Sequence, residues 1–153
     1  METLLRAPGT PAAPAEQQPL VLWNPLAAVL WSLLLSPAFG AWLHMRNWER
    51  LGQPQQAAQA RDWCVAIVAV NLVNLGLVAF GAASGHAISI PPTVNLAFLA
   101  VWFILAALPQ LRYVAELHGD GYVRRPWLLP VLVGLAAVAG FLVLAQALAA
   151  AGR

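Results

Sequence analysis

Acid–base and metal chemistry need clustered histidine, cysteine or carboxylate side chains, and this 153-residue chain holds only three histidines, one cysteine and six acidic residues. His44 and His118, with Glu49, Glu116 and Asp120 nearby in sequence, are the candidates for a metal or proton-transfer site. They lack the supporting patterns: no two histidines at helical spacing, no cysteine pair and no glycine-rich phosphate cradle. Hydrogen bonding at a membrane boundary is therefore their main reading. His86 stands alone and reads as solvated. The expectation is a chain with no enzyme activity, no catalytic residues, no bound metal and no cofactor.

The spacings that stand out serve contact instead. Ala28, Ser32, Ser36, Gly40 and His44 recur every four residues. In lipid, small groups at that interval let helices approach closely, which replaces the hydrophobic drive available in water. A packing seam is the main reading and a binding groove the alternative. Ala136 and Gly140 form a shorter seam, and either stripe is also suited to self-association. Asn71 and Asn74 lie three apart, on one helical face, and an amide in hydrocarbon seeks a partner. Gln146, Ser32 and Ser36 are candidates, and a polar lining for a solute path is the alternative. Ion-coupled transporters and proton relays place ionisable groups at membrane depth, and none falls in the interior of a predicted span.

These residues must be positioned by membrane helices. No Asp, Glu, Lys or Arg occurs from Gln17 to Met45, from Trp63 to Leu111, or from Pro126 to Gly152. A helix rising about 1.5 Å per residue crosses a ~30 Å hydrocarbon core in roughly 20 residues, so the outer runs hold one span each and the middle run two. With 61% hydrophobic and 9% charged residues and a mean hydropathy of +0.71, a water-soluble core is excluded. The expected fold is all-α, a polytopic bundle of four transmembrane helices over about 20–45, 63–80, 93–111 and 127–149, forming a single domain over 20–153. Pro37 is expected to kink the first span from within, and Pro109 to bend or end the third. Gly52 and Pro54 mark a tight turn between helices. Residues 1–19, with four prolines, read as a flexible tail. The apolar run from Leu20 exceeds a signal-peptide core, so an uncleaved anchor is expected.

All eight basic residues are arginines. Arg46, Arg50 and Arg61 occupy one loop and Arg112, Arg124 and Arg125 another. Retention of positive loops in the cytoplasm puts both there, with both termini on the periplasmic side. Trp42, Trp48, Trp63, Tyr113, Tyr122 and Trp127 cluster at the same boundary, where amphipathic rings prefer to sit. Membrane lipids are thus expected partners, with anionic headgroups as candidate contacts of the arginines. A net charge of +2 without a basic stripe carrying stacking aromatics argues against nucleic acid. The two halves look faintly alike, although any four-span chain with two positive loops would do so. Cys64, being single, forms no intrachain disulfide.

Asn24-Pro25-Leu26-Ala27-Ala28, Trp31-Ser32, Ser36-Pro37-Ala38-Phe39-Gly40-Ala41, His44, Asn47-Trp48 and Leu51-Gly52 form one block, and Tyr122-Val123-Arg124-Arg125-Pro126-Trp127 a second. Together they resemble a group of small inner-membrane proteins of Gram-negative bacteria, over the first span with its loop and over the final loop. Proteins of this appearance are similar to immunity partners of type VI secretion toxins that attack the inner membrane. The resemblance implies a non-enzymatic immunity protein in the bacterial inner membrane, whose partner is a cognate pore-forming toxin. It carries no catalytic residues across. A small passive channel or transport subunit is the alternative.

Overall fold

The computed structural model describes residues 19–86 and 88–151. The expected tail lies outside them except for Pro19, as do Arg6 and Arg153. The fold is all-α, with one minimal strand pair. In chain order the elements are β1 (Val21–Leu22), α1 (Pro25–Leu34), α2 (Pro37–Arg50), α3 (Pro54–Ser84), α4 (Pro92–Trp102), a π-helical turn (Phe103–Ala107), α5 (Leu108–Leu117), β2 (Val123–Arg124) and α6 (Leu128–Ala151). Three rods are long and apolar enough to cross a membrane: α3, the continuous stretch Pro92–Leu117, and α6. They correspond to the second, third and fourth predicted spans.

The first predicted span, 20–45, is not a single kinked helix but a hairpin of two short ones. Proline disfavours helical backbone in the residue before it, and Ser36 is fully extended (φ −178°, ψ 156°). The Ser36 hydroxyl accepts a hydrogen bond from the Phe39 amide at 3.2 Å, and Pro37 takes the first helical position, where a missing N–H does no harm. Pro37 thus starts a helix instead of bending one. Residues eight apart in one helix stand ~12 Å apart along its axis, yet a Cβ on Gly40 would collide with the Ser32 hydroxyl and lie 2.8 Å from its Cβ. α2 therefore returns antiparallel to α1. The ten residues of α1 reach ~15 Å, about half a hydrocarbon core.

The return places Trp23, before α1, beside Asn47, near the end of α2. At the same end β1 pairs in parallel with β2, Val21 opposite Val123 and Leu22 opposite Arg124. The Val123 amide donates to the Leu20 carbonyl at 2.9 Å, and the Arg125 amide to Leu22 at 2.8 Å. Gln53 donates to the Tyr113 hydroxyl at 3.0 Å, and Trp48 meets the Tyr113 ring edge-on at 5.1 Å. Both arginine-bearing loops thus gather at one end, as expected. The segment Leu20–Asn24 lies there too, which corrects the expectation that the chain begins its first span at the opposite end. An impermeant maleimide checks this in a Cys64→Ser background: Pro19→Cys and Asp120→Cys should label from one side of sealed vesicles and Ser89→Cys from the other. Joint labelling of Pro19→Cys and Ser89→Cys would restore a first span.

The third rod passes through Pro109 without breaking. Proline at this position clashes with the carbonyl four residues back, and the preceding turn widens to π geometry, in which the Leu108 amide donates to Phe103, five residues back. The 31 residues of α3 extend ~46 Å, longer than the 63–80 span expected. The connection to α4 folds back along its end: the Ile90 amide donates to Asn74 Oδ1 at 2.7 Å, and Gly81 lies so close to His86 and Ile88 that a side chain would strike their backbone.

Candidate functional site

The hairpin is held by a buried polar joint at its open end. Asn47 grips Trp23 as a strand partner would: the Trp23 amide donates to Oδ1 at 3.1 Å and Nδ2 donates to the Trp23 carbonyl at 2.8 Å. Nδ2 also points at Gln110 Oε1, 3.4 Å away, and Gln110 Nε2 donates to the backbone carbonyl of His44 at 2.8 Å. Asn47 and Gln110 are fully buried, so each amide satisfies groups that water cannot reach. This ties α1, α2 and α5 into one unit. His44 packs its ring edge-on against Trp102 at 5.8 Å, and both are wholly enclosed.

Around this joint the four-residue stripe is divided between the two arms of the hairpin. Ala28 and Ser32 on α1 and Gly40 and His44 on α2 are buried, and Ser36 is half-buried at the tip. Ser32 donates to the Ala28 carbonyl at 2.7 Å. The stripe folds onto itself, so it does not present one continuous face. Asn71 and Asn74 are not a joined pair: Asn71 donates back to Ile67 at 2.8 Å, while Asn74 caps the returning loop. Neither they nor Gln146 reaches Ser32 or Ser36 through a hydrogen bond. Ala136 and Gly140 face outward, and a Cβ on Gly140 would meet nothing within 4 Å. The close contact of α6 is instead Gly134, where a Cβ would lie 2.6 Å from Leu35 and 3.1 Å from Phe39.

Below the joint, a cavity of about 470 Å³ lies between the hairpin tip, α3 and α6. Its walls include Leu35, Phe39, Trp42, Leu72, Ala137 and Phe141, with Ser36 and Asn71 as its polar members. The outer face of α6 is almost wholly uncovered, with only Pro130 and Gly134 buried.

The arginines flank the joint. Arg46 pairs with Glu49 at 3.0 Å, Arg61 with Asp62 at 3.3 Å and Arg124 with Asp120 at 3.1 Å, all exposed and hence weak. Arg50 and Arg112 are exposed. Arg125 lies over the Trp23 ring at 4.2 Å, a cation–π contact. Burial raises the Tyr122 phenol above its ordinary value, Arg124 opposing and Asp120 reinforcing, so it stays neutral and leaves the positive charge of this end undiminished.

His44 and His118 do not converge. His44 is sealed against Trp102 while His118 ends α5 beside Tyr113, ring centroids 6.2 Å apart. Among the described residues no three His, Cys, Asp or Glu side chains gather as a metal set. His86 is exposed, and its ring meets the nearby Ser84 carbonyl, 2.7 Å from Nδ1. The residues that sequence reasoning missed are Asn47, Trp102, Gln110 and Gly134. Gln110 did leave a signal, a lone amide at the end of a long uncharged run, of the same kind that singled out Asn71.

No protein family, curated protein or solved structure matches this chain. Its three apolar rods are compatible with a multi-pass membrane protein.

Proposed function

We propose that this chain is a non-enzymatic binding protein of the bacterial inner membrane, whose partner is another membrane-embedded protein. The observation that carries the reading is the outer face of α6: six large apolar residues outside the cavity, Leu128, Leu129, Leu132, Leu135, Val143 and Leu144, are exposed on it, with Ala136 and Gly140 between them and open space above Gly140. A small-residue interval that the chain's own packing leaves unused is suited to a second helix. The positive-inside rule puts the arginine end in the cytoplasm, so the segment before α1 is cytoplasmic and the end of α6 periplasmic.

Within this class the resemblance of the hairpin and final-loop motifs favours an immunity protein that neutralises a pore-forming toxin of a type VI secretion system. A toxin active inside the bilayer has to be met there, and a helix face is the available means. Coexpression with a neighbouring toxin gene is the test: the chain should restore growth and copurify with the toxin. Gly140→Leu should abolish both while leaving expression and thermal stability near those of the parent. Rescue undiminished by Gly140→Leu would remove α6 as the contact, and no rescue from any adjacent gene product would end the immunity reading. A passive channel would instead conduct after reconstitution alone.

A further inference from the structure

We propose that the cavity between the hairpin tip, α3 and α6 holds an acyl chain of an anionic phospholipid, with its phosphate met by Arg125 and Arg46. At about 470 Å³ it has the size of a small-molecule site, and its walls are apolar apart from Ser36 and Asn71. Along α6 it runs from Val133 to Leu142, ~14 Å of rise, starting near the arginine end and reaching mid-bundle. Gly134 packs against Leu35 and Phe39 on one wall, and a helix ~10 Å across and ~14 Å long would displace about 1,100 Å³, more than the space provides, so an extended chain fits where a helix does not.

Charge complementarity selects the headgroup. Trp42 lines the cavity and packs on Trp23 at 5.9 Å, and the Arg125 guanidinium sits over that same Trp23 ring. Among the described residues Arg125 pairs with no carboxylate, and its flat face is already oriented by the indole. Arg46 stands one helical turn beyond Trp42, held only by its exposed pair with Glu49, which a phosphate would compete for. Tryptophans mark the headgroup level of a bilayer, so a lipid anchored here points its chains in the direction that the slot runs. Basic pockets between helices on the cytoplasmic side bind such headgroups.

Native mass spectrometry of the full chain, extracted from vesicles of equal phosphatidylglycerol and phosphatidylcholine, tests the site without any toxin. One phosphatidylglycerol should be retained, preferred about thirtyfold for two arginines at an anionic headgroup. Arg46→Gln with Arg125→Gln should erase the preference. Ala137→Trp, filling the slot, should remove retained lipid of either kind, whereas Val143→Trp outside the slot should not. Leu72→Trp on the opposite wall gives the same reading should Ala137→Trp fail to fold. Equal retention of both lipids overturns the proposal, as does retention indifferent to both slot-filling variants. So does a doubled mass that these variants abolish, which would put a second copy in the slot.

Discussion

Gly40→Leu prevents the hairpin from closing, and little folded protein is expected in the membrane. A side chain there meets three obstacles at once: the Ser32 hydroxyl and Cβ from α1, and Trp102 Cη2 at 2.9 Å from the third rod. None gives way cheaply, because Ser32 is bonded to Ala28 and Trp102 is fully enclosed. Overpacking in a filled core costs about 1–3 kcal/mol for added methylenes, so Gly40→Ala is expected at the top of that range, lowering the melting temperature in detergent by roughly 10 °C. Ser32→Gly in the Gly40→Ala background removes the two nearest atoms and should restore more than half of the loss. A Gly40→Ala protein as stable as the parent would show that α1 and α2 do not pack back to back. Gly140→Leu is the control, since it enters open space.

Asn47→Ala is expected to be nearly as damaging for a different reason. It strands the Trp23 amide and carbonyl, both held by this one side chain, and loosens Gln110 at the same time. A buried backbone group without a partner costs about 1–3 kcal/mol, and two such groups together imply a loss of ~3 kcal/mol. Asn47→Asp separates the contributions: it still accepts from the Trp23 amide but offers no donor to the carbonyl or to Gln110. It also adds a charge to an enclosed site, so it should do no better than alanine. Thermal denaturation of the purified variants measures both. Equal stability of Asn47→Ala and parent would mean that the open end of the hairpin is held by apolar packing alone.

Much of the architecture was legible because bilayer burial imposes its own pattern. Ungated apolar runs gave the three long rods, Gly52 and Pro54 gave the turn before α3, and arginine counting gathered the two loops at one end. Each of these rests on local residue type. The first span was misread because the Ser36-Pro37 pair carries two meanings: proline inside a helix kinks it, while serine followed by proline caps and starts one. Hydrophobicity does not decide between them, since both arms of the hairpin are apolar near the tip. The small-residue stripe misled in the same way, since its four-residue interval is equally compatible with one helix face and with two facing arms.

What the sequence by itself determined is that the chain is a helical membrane protein, where its long helices lie, and which end carries positive charge. These follow from the free energy of placing each residue type in hydrocarbon or at its edge, a property of residues and their neighbours along the chain. Only the tertiary structure decided that the first apolar run turns back, that Asn47 and Gln110 lock it, that Gly134 rather than Gly140 receives the hairpin, and that a slot is left beside it. Those outcomes depend on which buried donors find acceptors and which surfaces fit, across separations such as the 66 residues between Gln110 and His44, where no local pattern reaches.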